Sequence, residues 1–487
     1  MVVCGRKIFP PAGRGPPPHD PGGAGLPCSP ITDHRWPGTR VNATDDKLNL
    51  LSDLIRKARA AGADGADAVF MGGRSLSLTR RLGRPEWLDR SESADVGLRV
   101  FIGKRQAIAS SSDLSTGALE ELVGRVLTMA RSVPEDPYCG LAGPDLLATD
   151  RPDLDICDPA EPAAETLVER AARAEDAARG VPGVTNSEGA EAGWGRMEVA
   201  IASSNGFTGV YGTSRHSLSV SVLAGEGTAM ERDYDYASAV FAKDLGEPED
   251  IGRSAGEKAV RRLKPRKMKT AQVPVVYDPR AARSLLSHLA GAINGVAVAR
   301  GTTFLKDKLG KRIFPRSVTI VDDPHRRRGL RSRPFDGEGL ATRRCNVIDN
   351  GVLTTWILDL RSARQLGLAP TGHAGRGSSS LPSPSVANLY LEPGQATPRD
   401  LMADIKSGFY ITELIGFGVN GVTGDYSRGA AGFRIEDGEL AHPVSEVTVA
   451  SNLNHIFANI TAADDLEFRH GTDAPTLRVD GMTVAGR

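Results

Sequence analysis

The chain has 487 residues, which exceeds the usual size of one domain and predicts two or three. Hydrophobic residues make up 40% and charged residues 25%, as in soluble globular proteins and unlike disordered or membrane-spanning chains. Lys and Arg number 60 and Asp and Glu number 60, so the net charge is zero and no overall field attracts the chain to nucleic acid or anionic lipid.

The sequence carries no segment that directs it to a membrane. No apolar run approaches the roughly 18 to 20 residues that a membrane helix requires. Near the N-terminus, Arg6 and Lys7 are followed by prolines and not by the apolar core of a signal peptide. The 5 cysteines are scattered and form no CxxC pair. We therefore expect a cytoplasmic protein with reduced thiols and no membrane contact.

The first stretch, residues 1–44, is dense in proline and glycine and has no periodicity. It cannot bury enough apolar surface to offset the entropy of ordering, so we predict a disordered extension outside the fold. Helix and strand patterns then alternate, which predicts an N-terminal α+β domain over residues 45–265.

Local signals place the elements of that domain. Apolar residues at helical spacing predict helices over 46–62 and 164–180. Alternating segments predict β-hairpins that turn at 103–104 and 205–206. The basic stretch at 261–269 is interpreted as a solvated linker to the second half, because it has no interleaved aromatics for nucleic-acid stacking.

Strands dominate the second half. VPVVYD, residues 273–278, predicts a short buried strand, and Pro279 begins a helix that carries LLSHLAGAING. From about residue 317, short β-like runs alternate with glycine-rich turns. We predict a β-rich domain over 266–487, closed into a sandwich or a barrel, and hence an α+β protein of two domains.

His288, in that helix, raises the question of a metal site. Zinc in an enzyme requires about three protein ligands and a nearby carboxylate base. The positions about one turn away hold Ser284, Ser287, Gly291 and Ala292, which are not zinc ligands. The sequence also has no HExxH motif and no GxSxG elbow. A lone histidine on an apolar helix is more often a packed residue, so the residues alone predict no catalytic constellation.

Six stretches, in order across both halves, resemble a known family. They are ADVGLRVFIGKRQAIASSSDLS, VARGTTFLKDKLGKRIFP, TIVDDPHRRRGLRSRPFDGEGL, LDLRSARQLGLAPTGHAGRG, ANLYLEPG and GVNGVTGDYSRGAAGFRIEDGELAHPVSEVTVASNL. With them the chain resembles the TldD/PmbA family (peptidase family U62), and within it the PmbA branch, also called TldE. The resemblance extends from Asp45 to Arg487.

The resemblance implies a two-domain fold and a place in peptide degradation. It implies a β-rich C-terminal domain and cytosolic TldD–TldE heterodimers that cleave small or unfolded peptides. Members also carry the older name modulator of DNA gyrase. In that picture the TldD subunit holds zinc through an HExxxH helix and a cysteine near its C-terminus.

This sequence departs from the metal pattern at each ligand. Aligned with the TldD helix, Ser287 stands at the first histidine, His288 at the glutamate and Ala292 at the second histidine. The segment 464–475, before the last strand, contains no cysteine. We therefore expect no metal or other cofactor in this chain, with zinc in a TldD-type partner.

Two segments are candidates for peptide or partner binding. In GVNGVTGDYSRGAAGF, residues 418–433, the side chains of Asp425, Tyr426 and Arg428 are suited to a peptide backbone or a neighbouring subunit, although a tight turn joining two strands explains the segment equally well. Asp336 and Glu338 either order a loop at an interface or are solvated.

Three functions remain open. The preferred one is a non-catalytic PmbA/TldE-type subunit that binds a TldD-type chain, or else a second copy of itself. The second is a self-sufficient metallopeptidase with an unrecognised site that includes His288, His373 or Cys345. The third is a DNA- or gyrase-associated regulator acting through the basic clusters at 261–269 and 325–333. Zero net charge and few aromatics argue against nucleic-acid binding.

Overall fold

Helices and strands alternate in the first half of the computed structural model and strands dominate the second, which confirms the α+β prediction. The structure describes residues 44–486. The extension predicted for 1–44 therefore lies outside the described residues, apart from the backbone of Thr44. No helix within 44–486 is long and apolar enough to cross a membrane.

The first half builds helices around one antiparallel sheet. Its elements are α1 Thr44–Ala60, β1 Gly65–Arg81, β2 Arg84–Ile102, β3 Arg105–Ser111, α2 Thr116–Ser132, α3 Ala164–Arg179, β4 Val184–Ser203, β5 Thr208–Ala224, β6 Glu231–Ala239 and α4 Pro248–Arg261. The strand order is β3-β2-β1-β4-β5-β6. Both predicted hairpins are confirmed, at the β2–β3 and β4–β5 turns, and Gly103 and Gly206 adopt the positive φ angles that these turns require.

Alternation along β1 gives the sheet two different faces. Ala68 and Leu78 lie in the hydrophobic clusters formed with the helices, whereas Val69 points to the opposite face. There Val69 shares a cluster with Phe335 from the second half of the chain. Helices therefore cover one face of the sheet, and residues from the second half pack on the other.

The second half is a series of short strands with few helices. Its elements are β7 Ala271–Tyr277, α5 Pro279–Ala292, α6 Gly295–Ala299, β8 Ile320–Asp322, β9 Cys345–Asp349, β10 Val352–Leu353, α7 Leu360–Leu366, β11 Ala374–Gly375, β12 Ser383–Pro384, β13 Leu389–Leu391, α8 Pro398–Met402, β14 Ser407–Ile415, β15 Asp425–Glu436, β16 Glu439–Asn452, α9 Leu453–Ala458, β17 Ile460–Ala462, β18 Thr472–Asp473 and β19 Leu477–Ala485.

One of its sheets closes on itself. The strand order is β16-β15-β14-β7-β19-β17, and an additional pairing joins β16 to β19 through Thr448–Ala450 and Thr483–Ala485. Closure leaves the sheet few free edges, as in a barrel, which is one of the two closed forms predicted. A second sheet, β10-β9-β8-β13-β18, lies in the same half.

The two halves are joined by aromatic and charged contacts. Phe335 packs edge-on against Phe207 and Tyr211, with ring centroids 5.1 and 5.2 Å apart. Arg376, in the serine-rich loop of residues 375–385, lies 2.7 Å from Asp67 on β1. The described residues form one compact unit by their contacts, so the division at residues 265 and 266 stays a prediction.

Candidate functional site

Helix α5 carries the three positions singled out by the family resemblance. The carboxylate of Asp278 caps it by accepting from the backbone N–H of Arg280 at 3.0 Å, and it also accepts from the hydroxyl of Tyr410 at 3.2 Å. Pro279 occupies the first turn, where a backbone donor is not needed. The apolar face of α5 packs into the C-terminal core through Leu285, Leu286 and Leu289. The helix is thus fixed both at its first turn and along one face.

The three positions on α5 do not fit a zinc ion. Ser287 is exposed, and its hydroxyl donates to the carbonyl of Arg283 at 3.3 Å. Ala292 is 5% exposed and packs in the core, and His288 lies between these environments, half-buried. A hydroxyl turned to its own helix and a buried methyl group are not zinc ligands. Across residues 44–486, no group of three or more His, Cys, Asp or Glu side chains is arranged to hold a metal ion.

His288 faces Tyr426 on strand β15. The two rings meet edge to face, with centroids 6.0 Å apart and planes at 80°. Burial, together with the nearby guanidinium of Arg428, lowers the pKa of His288, so its imidazole is neutral near pH 7. Its Nε2 is buried and makes no hydrogen bond to a described residue. The fold therefore places His288 beside two of the residues predicted for peptide or partner binding.

The predicted trio on β15 separates into three environments. Asp425 orders the preceding turn, since its carboxylate accepts from Thr423 Oγ1 at 2.6 Å and from Asn452 Nδ2 at 3.2 Å. Tyr426 is 1% exposed and packs in the core. Arg428 is half-buried and donates to a backbone carbonyl at 3.3 Å, and it forms no ion pair with any carboxylate in the described part of the chain. Of the three, Tyr426 is buried, whereas Asp425 is exposed and Arg428 half-buried, and both carry a charge that no ion pair among the described residues neutralises.

Next to Arg428, the β14–β15 loop, residues 416–424, carries apolar side chains into solvent. Phe417 is 99% exposed, and Val422 is 55% exposed. Ile415, at the end of β14, is 58% exposed. Exposed apolar clusters of this kind are typical of interaction sites. The sequence analysis did not single out Phe417, although a phenylalanine among the glycines of GFGVNG was the available signal.

Asp336 and Glu338 lie elsewhere, in a buried loop against the N-terminal sheet. Asp336 accepts from the backbone N–H groups of Glu338, Leu340 and Ala374 at 2.8 to 3.0 Å. Glu338 accepts from the N–H of Leu360 at 2.8 Å. Both side chains are buried, so the solvated interpretation is wrong, and their backbone hydrogen bonds order the loop. Its place at an interface stays a prediction.

The pKa values of this carboxylate pair are raised. Burial raises the pKa of Asp336, against the three backbone N–H groups that favour its ionised form. Burial also raises the pKa of Glu338 to about 8, against the nearby guanidinium of Arg99, and the negative charge of Asp336 adds to the rise. With more N–H donors on Asp336, the proton of the pair resides on Glu338 at neutral pH.

His373 and Cys345 meet around Asp322 on β8. His373 is buried, with Nε2 at 3.0 Å from Asp322 Oδ2 and Nδ1 at 2.9 Å from Thr371 Oγ1. Cys345 pairs with Asp322 across β8 and β9, and burial raises the pKa of its thiol to about 11. The thiol is therefore protonated at neutral pH, and neither nitrogen of His373 is free for catalysis.

The two basic clusters differ in their contacts within the chain. In 261–269, Arg266 donates its backbone N–H to Pro443 at 2.9 Å and Met268 is 5% exposed, but Lys264, Arg266, Lys267 and Lys269 are exposed, as the solvated-linker interpretation expects. In the cluster at 325–333, the Nε of Arg328 lies 2.7 Å from Asp155. The fold also brings an aromatic side chain to this cluster from elsewhere in the chain. The guanidinium carbon of Arg326 lies 3.3 Å from the ring centroid of Phe468.

A cleft of about 410 Å³ lies between the two halves of the chain. Arg99 and Glu338 line it together with Arg300, Arg361 and Leu381. The sequence analysis identified Glu338 but missed the arginines, because they come from β2, the residue after α6, and α7, and no local motif connects them.

Comparison with known proteins assigns the family. Models of the PmbA/TldA metallopeptidase match in order: domain 1 at residues 66–130, the central domain at 157–263 and the C-terminal domain at 270–486. The metalloprotease PmbA of Escherichia coli O157:H7 is 39% identical over 452 residues, which span 92% of this chain and 98% of that protein. A PmbA homolog of Haemophilus influenzae is 36% identical over 449 residues. The chain therefore belongs to the PmbA/TldD metallopeptidase family, as predicted.

Solved structures agree on the fold. A protein from Bacteroides thetaiotaomicron that carries the name modulator of DNA gyrase superposes with a TM-score of 0.84 at 28% identity, over 91% of this chain and 100% of that one. TldE from Thermococcus kodakarensis gives a TM-score of 0.80 over 90% of this chain and 100% of its own. At 21% identity, the likeness to TldE shows the fold alone.

Proposed function

We propose that this chain is the PmbA/TldE-type subunit of a TldD–TldE-type zinc peptidase complex that degrades or processes small or unfolded peptides in the cytoplasm, and that it holds no zinc itself. The observation that carries the proposal is the chemistry of α5. Ser287 and Ala292 offer no ligand, and His288 faces Tyr426 across a packed contact. Hydrolysis would then depend on zinc in the TldD-type partner, and this chain would hold the partner and the peptide in place.

The β14–β15 loop supports a role in binding that partner. Phe417 is 99% exposed, and aromatic side chains are enriched at the energetic centres of protein interfaces. At the base of the loop, Arg428 has no carboxylate partner among the described side chains, and arginine is likewise enriched at interfaces. We infer that Phe417 and Arg428 contact the TldD-type chain; a homodimer through the same loop is the alternative outcome.

The other two functions are favoured by no observation. A self-sufficient peptidase that uses His373 or Cys345 needs a free imidazole or a thiolate, and His373 is bonded at both nitrogens while the pKa of Cys345 is about 11. A nucleic-acid regulator needs unpaired cations, and in the basic cluster at 325–333 Arg327 and Arg328 are paired with Asp155.

Reconstitution with a TldD-type chain tests the proposal. We expect peptide cleavage only from the mixture, with neither this chain nor its Phe417→Gln variant cleaving alone. Phe417→Gln should weaken co-purification and partner-dependent cleavage by about tenfold or more, because it removes an exposed aromatic anchor without touching the core. Met129→Gln, at a position 41% exposed on α2, is the matched control and should change neither.

Two results would contradict the proposal. The first is cleavage by this chain alone that is abolished by chelator and restored by zinc. The second is undiminished association and cleavage in the Phe417→Gln variant, which would place the loop outside the interface.

A further inference from the structure

The cleft between the halves has walls from both parts of the sequence. One wall comes from β2, β3 and the loop that follows α2, and the other from α6, the first turn of α7 and residues 381–382. Its volume of about 410 Å³ falls within the range of small-molecule sites, which occur preferentially at domain junctions. The cleft is separate from the α5–β15 contact.

Buried polar groups form the floor of the cleft. Arg99 is 3% exposed, and its Nε lies 3.0 Å from Asp67 Oδ2. Its Nη1 lies 3.7 Å from Oε1 of Glu338. This nitrogen makes no hydrogen bond to any residue of the described range. Glu338 Oε2 accepts a hydrogen bond from the backbone N–H of Leu360. Arg99 Nη1 thus lies within ion-pair distance of Glu338 but donates no hydrogen bond to the described residues, and its side chain lines the cavity.

At the rim of the cleft, one of the two arginine side chains has no acidic partner among the described residues. Arg361 is neutralised by Asp136, with 2.6 Å between Nε and Oδ2. Arg300, at the end of α6, is exposed and forms no ion pair within residues 44–486. A negatively charged group entering the cleft would therefore meet the guanidinium of Arg300 first and the donor of Arg99 below it.

We propose that this cleft binds a carboxylate, held at the rim by Arg300 and on the floor by Arg99 Nη1 and the carboxylic acid of Glu338. Guanidinium-to-carboxylate and acid-to-carboxylate contacts are charge-assisted hydrogen bonds, the stronger class of hydrogen bonds in proteins. The carboxylate belongs either to a small free acid or to the C-terminus of a short peptide. The inference goes beyond the proposed function and does not depend on it.

Several charges surround Glu338 and set its protonation. They come from β1, β2, its own loop, the serine-rich loop and the residue that caps α7: Asp67, Arg99, Asp336, Arg376 and Asp359. A bound carboxylate adds negative charge and favours the protonated form of Glu338. Affinity should therefore fall as the pH rises above about 8, where Glu338 loses its proton.

Calorimetric titration of the full chain with trialanine, trialanine amide and acetate tests the site. We expect trialanine to bind at millimolar concentration and the amide to bind about tenfold more weakly, since the amide lacks the charge. Arg300→Ala should weaken trialanine binding by about tenfold or more and leave amide binding unchanged. The exposed arginine Arg312 provides the matched control, and Arg312→Ala should leave both unchanged.

The variants also separate a carboxylate site from its alternatives. Glu338→Gln keeps a hydrogen-bond donor, so it should retain binding and lose the decline above about pH 8. Acetate binding as tightly as trialanine would assign the site to small free acids, and weaker acetate binding would assign it to peptide C-termini. Equal affinity for acid and amide, full affinity in Arg300→Ala, or no binding would overturn the inference.

Discussion

At the scale of single residues, two tyrosine hydroxyls near α5 differ in their hydrogen bonding. Tyr410 donates to Asp278, the residue that caps α5, at 3.2 Å. Tyr426, beneath His288, has its hydroxyl buried without a hydrogen bond of normal geometry to the described chain. A buried hydroxyl that makes no hydrogen bond contributes nothing to offset its lost hydration. The contact between His288 and Tyr426 is accordingly one of ring packing and not a hydrogen bond.

The two tyrosines provide a matched pair of substitutions. Tyr410→Phe should lower the free energy of unfolding by about 1 kcal/mol, because it removes a hydrogen bond to the helix cap. Tyr426→Phe should leave it unchanged or raise it slightly, because no such bond is lost. Urea denaturation of both variants measures the difference. A loss in Tyr426→Phe as large as in Tyr410→Phe would mean that its hydroxyl has a bonding partner.

Glu338 makes the stability of the chain depend on pH. Its folded-state pKa of about 8 exceeds the ordinary glutamate value of 4.5, so the folded state binds an extra proton between these pH values. The stabilisation is therefore complete below about pH 4.5 and is lost as the pH rises through about 8. Glu338→Gln should lose this decline in the free energy of unfolding. The measurement is the difference in unfolding free energy between the wild-type chain and the variant, followed from about pH 5 to about pH 8.5. A constant difference would contradict a raised pKa.

At the scale of elements, the serine-rich loop shows where local sequence misleads. GRGSSSLPSPS, residues 375–385, has the composition of an exposed irregular loop. The fold instead buries the side chain of Arg376 against Asp67 and lays the backbone of Ser378 on Gly97 of β2. Both contacts join distant parts of the chain, so neither has a signal within the loop itself.

The contact at Gly97 is tight enough to test by substitution. A Cβ at Gly97 would overlap the backbone of Ser378. Gly97→Ala should therefore lower the free energy of unfolding by about 1–3 kcal/mol, as overpacking does. Gly124→Ala, in α2, meets open space and should raise it by up to about 1 kcal/mol through helix propensity. Thermal and urea unfolding measure both, and stabilisation by Gly97→Ala would show that the loop does not dock there.

The elements themselves were largely predictable from local pattern. The helix over 46–62 and the hairpin turns at 103–104 and 205–206 follow from periodicity and turn residues, and the structure has α1 at Thr44–Ala60 and turns at both sites. Barrel closure through the β16–β19 pairing depends on register between distant strands, which periodicity does not encode.

At the scale of the whole molecule, the candidate site could be only partly predicted. Tyr426, Arg428 and His288 do lie together, but they were identified in separate segments and no motif relates them. Glu338 was identified as part of a possible interface, whereas its pairing with Arg99 depends on how the halves pack. Contacts across the two halves thus account for most of what the sequence did not predict.

The central claim, that this chain is the zinc-free subunit of a two-chain peptidase, is tested most directly by its zinc content. Protein expressed alone would be stripped with chelator, reloaded with zinc and desalted before elemental analysis, with a TldD-type chain treated identically as the control. We predict close to no zinc per chain here and near-stoichiometric zinc in the control, because Ser287 and Ala292 cannot ligate the ion. Near-stoichiometric zinc in this chain would contradict the account.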